Sequence, residues 1–164
     1  MSVLSRSLVL TTVALLAVAA AQPAVPTAAP KAETKHLVVA ASSGPPARGR
    51  IPLFLDVTPR PKMHVYAPDK RQTYIPVALS IAASDGLIVH APKFPAPEKY
   101  FFEPLKETQL VYSRPFRIVQ DVTLARAPAD RRVTVKGTLR YQACDDRVCY
   151  MPQSVGVVWE IKVP

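Results

Sequence analysis

Alternation of apolar and polar residues is the feature that most limits how this 164-residue chain can fold. Near the C-terminus, apolar side chains occupy every second position: Val155, Val157, Trp159, Ile161 and Val163. The same period of two runs through residues 51–57, 75–81 and 133–141. Because successive side chains of a strand point to opposite faces, each segment is typical of a half-buried β-strand.

No window of the sequence carries a sustained helical period. About seven to nine strands separated by turn residues predict an all-β fold class, and specifically an immunoglobulin-like antiparallel β-sandwich. The 18 prolines fit this fold, since they stand largely in turn-like stretches such as "TPRPK" and "SRPF", where a missing N–H donor is tolerated. We expect Trp159 between the sheets, and we expect a bulge where Gly137 interrupts its strand.

The N-terminus has the pattern of a secretory signal peptide. Arg6 precedes an apolar run from Leu8 to Ala21, which ends in three alanines. The run has 14 residues, whereas a membrane-spanning helix needs about 20, so an uncleaved anchor is the less favoured alternative. We predict a signal peptide at residues 1–21, a flexible Pro/Ala-rich leader at 22–34 and one domain at 35–164, exported to the periplasm.

The net charge of +9 favours acidic partners in principle. The basic residues are scattered, however, without a dense run or interleaved aromatic residues, which is typical of a solvated surface. We therefore expect no nucleic-acid partner, and we expect a monomer.

Both cysteines lie in the stretch "YQACDDRVCYMPQ", at Cys144 and Cys149. In an exported protein they are expected to form a disulfide. A disulfide that closes so short a loop stabilises the folded chain by only about 2 kcal/mol through the entropy of the unfolded chain. Structural and redox roles are therefore equally open. Asp145 and Asp146 would raise a nearby thiol pKa and Arg147 would lower it, so the local charges do not indicate one strongly activated thiolate.

The stretch "LRYQACDDRVCYMPQ", together with "KMHVYAPDK", "YIPVALSI" and "APKFPAPEKYFFEP", resembles the N-terminal periplasmic domain of the thiol:disulfide interchange protein DsbD. The resemblance covers about residues 51–163. It implies an immunoglobulin-like sandwich, without a cofactor, whose cysteine pair passes electrons to periplasmic thiol-disulfide proteins such as isomerases or thioredoxin-like proteins.

The resemblance also implies roles for individual residues. Cys144 and Cys149 match the redox pair, with Cys149 forming mixed disulfides with partners. The residues that match the frame around the pair are Tyr141, Gln142, Tyr150 and Pro152. The aromatic cap that shields the pair in this family has its counterpart in "EKYFFEP", at Tyr100, Phe101 and Phe102, although at least one of these could equally be a core side chain.

The sequence departs from that family in its extent, because full DsbD continues into a membrane domain and a thioredoxin-like domain. We therefore expect either a separate DsbD-like membrane reductase as electron donor or a non-catalytic interaction module that retains a structural disulfide.

Copper binding is a third interpretation, since soft ligands suit that metal. The candidates are Met63, His64, His90, Cys144, Cys149 and Met151. Apart from the cysteines they have no tight ligand spacing, so we predict no metal site. A serine hydrolase is disfavoured because the sequence has no Gly-x-Ser-x-Gly.

Overall fold

The computed structural model describes residues 30–69, 74–126 and 128–163. Within these ranges the backbone forms twelve β-strands and one short 3-10 helix, Glu103–Leu105. The strands in chain order are β1 (Lys31–Glu33), β2 (Leu37–Ser43), β3 (Ile51–Pro59), β4 (His64–Tyr66), β5 (Ala78–Ile81), β6 (Leu87–Lys93), β7 (Glu98–Phe102), β8 (Glu107–Tyr112), β9 (Phe116–Leu124), β10 (Arg132–Tyr141), β11 (Ala143–Cys144) and β12 (Gln153–Lys162). The predicted all-β class is confirmed.

The strands form three antiparallel sheets, in the orders β1-β2-β3-β9-β6, β12-β10-β5 and β11-β4-β8-β7. Strands β10 and β11 follow each other directly, with Gln142 between them. Buried side chains from all three sheets pack in one hydrophobic core. The five-stranded sheet is therefore one layer of an immunoglobulin-like sandwich, and the two smaller sheets face it.

The core contains the apolar positions that the alternation predicted. On β3 these are Ile51, Leu53, Leu55 and Val57, and on β12 they are Val155, Val157, Trp159 and Ile161. Trp159 is almost completely buried, and its indole N–H donates to the carbonyl oxygen of Phe54 at 2.9 Å. The hydrogen bond satisfies the one polar atom of a large apolar side chain, which confirms the predicted place of Trp159 between the sheets.

Gly137 does not mark a bulge, and that prediction is wrong. The pairing of β10 with β12 runs in unbroken register through Gly137, which also pairs with Ile81 of β5. A Cβ at this position would lie 2.8 Å from the carbonyl oxygen of Ser80 and 2.9 Å from the Trp159 ring. Glycine is needed here because a neighbouring strand and the indole approach the backbone closely.

Paired backbone begins earlier than the predicted domain start at residue 35. Strand β1, Lys31–Glu33, lies within the range predicted as leader and pairs with β2. Main-chain hydrogen bonds hold such an edge strand whatever its composition, and the Arg60 guanidinium donates to Glu33 at 2.7 Å. Residues 1–29, which include the predicted signal peptide, lie outside the described residues. No helix in the described ranges is long and apolar enough to cross a membrane.

The two faces of the four-stranded sheet have different surroundings. Ala143, Val65 and Tyr112 point into the main core. The opposite face carries a second buried cluster, formed by Tyr66, Val111 and Cys144, with Tyr74 and Tyr100 packed against it. Because side chains alternate along each strand, this fold places one cysteine within an aromatic cluster that is separate from the main core.

Candidate functional site

The two cysteines face each other across a tight hairpin. Cys144 ends β11, and Cys149 forms an isolated antiparallel bridge with it. The Asp145 N–H donates to the Val148 carbonyl at 3.0 Å, and the Tyr150 N–H donates to the Ala143 carbonyl at 2.8 Å. The sulfurs form a disulfide, with the Cα atoms 4.0 Å apart. The local backbone therefore places both sulfurs on the same face of the hairpin.

The turn between the cysteines is organised by the carboxylate of Asp145. Its Oδ1 accepts the N–H groups of Arg147 and Val148, both at 2.8 Å, and its Oδ2 accepts the Tyr150 hydroxyl at 2.7 Å. The Val148 N–H and then the Tyr150 hydroxyl lower the pKa of Asp145 to about 2, because both stabilise the charged form. Asp145 thus has a structural task in the loop, as aspartates commonly have in turns.

The two cysteines differ sharply in accessibility. The side chain of Cys144 is 0% exposed, whereas Cys149 is an exposed residue. Of the two residues, Cys149 is therefore the one that is open to solvent.

The hydroxyl of Tyr66 lies between the two sulfurs, 3.2 Å from Cys149 Sγ and 3.3 Å from Cys144 Sγ. A disulfide sulfur has no proton, so the hydroxyl donates. Burial, followed by the neighbouring Tyr74, raises the pKa of Tyr66 to about 12. The Tyr66 ring is fully buried and stacks on Tyr74, with the ring centroids 4.4 Å apart. The site therefore contains a fixed, protonated donor aimed at both sulfurs.

Sequence reasoning did not assign a role to Tyr66, although the residue stands in the "KMHVYAPDK" stretch. The pairing of β4 with β11 matches His64 with Cys144, and Tyr66, two residues further along β4, points to the same face as His64. The alternation of His64, Val65 and Tyr66 indicates that His64 and Tyr66 share one face of a strand. That this face meets the cysteines follows only from the pairing of β4 with β11.

His64 is the closest cross-strand neighbour of the buried cysteine in the β4–β11 pair. Its ring is buried and lies 4.4 Å from the ring of Tyr100. Within the described part of the chain, Nε2 of His64 has no hydrogen-bond partner. Burial lowers the pKa of His64, and the negative charge of Asp145 opposes this shift only in part. The imidazole is therefore neutral at neutral pH.

The three predicted cap residues have different environments. Tyr100 pairs with Gln109 across β7 and β8, lies against His64 with the two rings tilted by 38°, and packs against the cluster that contains Cys144. By alternation Phe102 points to the same face as Tyr100, where it is buried, and Phe101 points to the other face and is exposed. Tyr100 is the predicted cap residue that the structure brings into the aromatic cluster of the disulfide.

Gln142 and Tyr150, two of the four predicted frame residues, hold the hairpin directly. The Gln142 amide donates to the Tyr150 carbonyl at 3.1 Å, and the Tyr150 hydroxyl binds Asp145. Tyr141 is buried in the main core, with its hydroxyl 2.8 Å from Thr34 Oγ1. Pro152 is partly buried where the chain leaves the hairpin. Of the four predicted frame residues, Gln142 and Tyr150 thus form hydrogen bonds within the hairpin, whereas Tyr141 packs in the main core.

The copper candidates are not gathered into one site. His90 lies on β6 in the five-stranded sheet, where Nε2 is 3.0 Å from Thr123 Oγ1. Met63 and His64 line a surface cavity of about 390 Å³ together with Tyr100, and Met151 is 82% exposed. In the ranges that the structure describes, no group of three or more His, Cys, Asp or Glu residues is arranged to hold a metal ion.

Comparison with solved structures finds similar folds at low sequence identity. The N-terminal periplasmic domain of ScsB from Proteus mirabilis shares 15% identity with this chain at a TM-score of 0.53. The match covers 76% of this chain and 46% of the ScsB chain, so the present chain spans less than half of that protein. The reduced N-terminal domain of Neisseria meningitidis DsbD shares 20% identity at a TM-score of 0.45, with 73% of this chain and 89% of that chain covered.

Comparison by sequence was made with curated proteins and with family models. No curated protein matches the chain. The family model described as "Thiol:disulfide interchange protein DsbD, N-terminal" matches residues 23–157, which include both cysteines, Tyr66 and Tyr100. Because that match covers most of the sequence, the chain belongs to the family of DsbD N-terminal domains.

Proposed function

We propose that this protein is an exported thiol-disulfide exchange module that passes electrons through Cys144 and Cys149 to other periplasmic thiol-disulfide proteins. The observation that carries the proposal is the asymmetry of the pair: Cys149 is exposed and Cys144 is buried, with the Tyr66 hydroxyl within hydrogen-bonding distance of both sulfurs. Membership of the DsbD N-terminal family supports the same chemistry.

The proposed reaction begins with the reduced pair. The Cys149 thiolate attacks one sulfur of the partner's disulfide, so that a mixed disulfide forms, the partner's S–S bond breaks and the released partner sulfur takes up a proton. The Cys144 thiolate then attacks Cys149 Sγ, which closes the internal disulfide and releases the second partner thiol. Two electrons and two protons pass to the partner in total.

The buried position of Cys144 makes a hydrogen-bond donor important. A thiolate that forms away from water is costly unless it is hydrogen-bonded. The Tyr66 hydroxyl lies 3.3 Å from Cys144 Sγ and stays protonated because its pKa is raised. Tyr66 can therefore stabilise negative charge on either sulfur as the charge moves between them.

The pair must be reduced again after each transfer, and we assign this step to a membrane-bound dithiol reductase. The predicted signal peptide at residues 1–21 would place the domain in the periplasm, where disulfides persist. Tyr100 would act as the shield that limits access to the disulfide, since its ring packs with the cluster around Cys144.

The competing function is a non-catalytic interaction module with a structural disulfide. The disulfide closes an antiparallel hairpin, as a structural staple would, although the hydrogen bonds of Asp145 and Gln142 hold that hairpin whether or not the sulfurs are joined. The reduction potential separates the two functions. A structural disulfide has a potential below about −300 mV, and an exchanging pair is expected above that value.

Partner trapping tests the same proposal with two matched variants. A Cys144→Ala variant leaves the exposed thiol and is expected to accumulate mixed disulfides with thiol-disulfide proteins in a periplasmic extract. A Cys149→Ala variant leaves only the buried thiol and is expected to trap none. A potential below about −300 mV, with no adduct on either variant, would assign the disulfide to the structural role.

A further inference from the structure

A cavity of about 490 Å³ opens between the two layers of the sandwich, at the end of β10 that is remote from the cysteines. Its walls include Leu87 at the start of β6, Leu124 at the end of β9 and residues 132–135 at the start of β10. Strand β10 has ten residues, and at about 3.3 Å per residue its two ends lie about 30 Å apart. The cavity is therefore separate from the disulfide, whose hairpin follows the other end of this strand.

The inner wall of the cavity is apolar. Leu87, Leu124 and Val133 line it, are partly buried and pack against the main core. Val135, which also lines the cavity, is 2% exposed and belongs to that core. Cavities of about 300–1,000 Å³ with an apolar wall and a few polar groups are typical of small-molecule sites. An apolar chain that enters here leaves water for contact with apolar side chains, which is favourable.

An unpaired stretch of β10 borders the cavity. Strand β5 pairs only with residues 137–140 of β10, and on the same side the Ala82 N–H donates to the Lys136 carbonyl at 2.8 Å. Main-chain groups alternate in direction along a strand, so the N–H and C=O of Thr134 point to the same side as those of Lys136. Within the described chain neither group of Thr134 has a hydrogen-bond partner. Because Thr134 lines the cavity, its N–H is an available donor there.

Two arginines lie at the open side of the cavity. Arg126 and Arg132 line it and are exposed, and in the ranges that the structure describes neither guanidinium group forms an ion pair. Asp85 also lines the cavity and is exposed, and no ion pair joins it to either arginine in those ranges. Two positive charges thus stand against one negative charge, so the open side favours an anion.

We propose that this cavity binds a small amphiphile with an unbranched apolar chain and one anionic head, such as a carboxylate. The chain lies against the apolar wall, and the head accepts hydrogen bonds from Arg126, Arg132 and the Thr134 N–H. Guanidinium groups suit this role because their planar N–H pairs match the two oxygens of a carboxylate. The site does not involve the disulfide, so the inference is independent of the proposed exchange function.

The same chemistry occurs in a free fatty acid and in the acyl chain of an anionic phospholipid, and two probes distinguish these sources. Decanoate, kept below the concentration at which it forms micelles, is titrated into the isotope-labelled protein and followed by NMR. Decylammonium is the matched control, since it has the same chain and the opposite head charge. Vesicles of phosphatidylglycerol are mixed with the protein in a flotation assay, with phosphatidylcholine vesicles as the control.

Decanoate is expected to shift the methyl resonances of Leu87, Leu124 and Val133 and to saturate at one molecule per chain. Decylammonium is expected to bind at least about tenfold less well, because it loses the hydrogen bonds of a charged head. Rising salt should weaken the binding of decanoate, since the arginines are exposed.

Variants test the charges at the open side. Arg126→Gln and Arg132→Gln should each weaken decanoate binding about 2- to 5-fold, a range set by the modest strength of exposed ion pairs. Asp85→Asn should strengthen binding, because it removes a repulsive charge. Arg140→Gln is the control, since it removes one positive charge near the other end of β10 and should leave binding unchanged. Circular dichroism checks the folding of each variant.

The outcomes decide both the site and the source of its ligand. Saturable decanoate binding that depends on Arg126 and Arg132 supports a site for a free carboxylate. Flotation with phosphatidylglycerol that depends on these two arginines and not on Arg140 supports the site with a phospholipid as its ligand. Equal binding of decanoate and decylammonium, shifts confined to residues outside the cavity, or no binding of either probe overturns the inference.

Discussion

The hydroxyl oxygen of Tyr66 lies 3.2 Å from the sulfur of Cys149, although the two residues are 83 positions apart in the sequence. The contact exists because β4 pairs with β11, which brings Tyr66 beside the cysteine hairpin. It connects the fold of the four-stranded sheet to the chemistry proposed for the disulfide.

We expect Tyr66→Phe to slow reduction of the disulfide by dithiothreitol by about tenfold or more, since a hydrogen bond to a charged group contributes about 1.5–3 kcal/mol. The phenyl ring would keep the stacking on Tyr74 and lose only the donor. Tyr74→Phe is the matched control, because the Tyr74 hydroxyl binds Glu107. Stopped-flow measurement should give a near-normal rate for the control, and equal slowing of both variants would contradict the assigned role.

Shielding by Tyr100 can be tested against its neighbour in the sequence. We expect Tyr100→Ala to speed the reaction of the disulfide with glutathione, because the substitution removes a ring packed over the Cys144 cluster. Phe101→Ala should leave the rate unchanged, since Phe101 points to the opposite face of β7. Pseudo-first-order rates at fixed glutathione concentration provide the measurement. The same rate for both variants and the wild type would remove Tyr100 from the cap.

Close packing at Gly137 predicts a large difference between two glycines. Gly137→Ala should lower the free energy of unfolding by about 1–3 kcal/mol, because the added methyl group would overlap the Ser80 carbonyl and the Trp159 ring. Gly156→Ala, on the neighbouring strand, has no atom within 4 Å of the added Cβ and should be neutral or slightly stabilising. Urea denaturation of both variants checks this. A neutral Gly137→Ala would show that β5 can move away from β10.

The turn formed by Asp145 predicts a pH-dependent contribution to stability. The pKa of this carboxyl falls from its ordinary value of 3.8 to about 2 in the folded protein. A folded-state pKa below the unfolded one means that the stabilisation is fully present above pH 3.8 and is lost as the pH falls towards 2. Asp145→Asn should therefore be less stable than the wild type at pH 7, and the difference should shrink between pH 4 and pH 2.

The control for that measurement is Asp146→Asn, because Asp146 is exposed and adjacent to Asp145. Denaturation midpoints in urea at several pH values should show no such convergence for this variant. A constant difference between Asp145→Asn and the wild type from pH 7 to pH 2 would rule out the carboxylate as its source.

Much of the fold could be predicted from the sequence because the burial of a strand is a local pattern. Every second side chain on β12, from Val155 to Ile161, is buried, as the alternation predicted. The cysteine hairpin was also visible, since Cys144 and Cys149 are close in the chain and their frame residues adjoin them. The period of two does not distinguish a bulge from a regular strand, so Gly137 was misinterpreted.

The sequence by itself determined the strand pattern, the family and the identity of the cysteine pair, because each is encoded by residues near one another in the chain. Only the tertiary structure decided which cysteine is buried and which aromatic residues surround it. Those features depend on the pairing of β4 with β11 and of β7 with β8. Strand pairing between distant segments selects which face of each strand meets the disulfide, and for that reason Tyr66 and Tyr100 face the site while Phe101 does not.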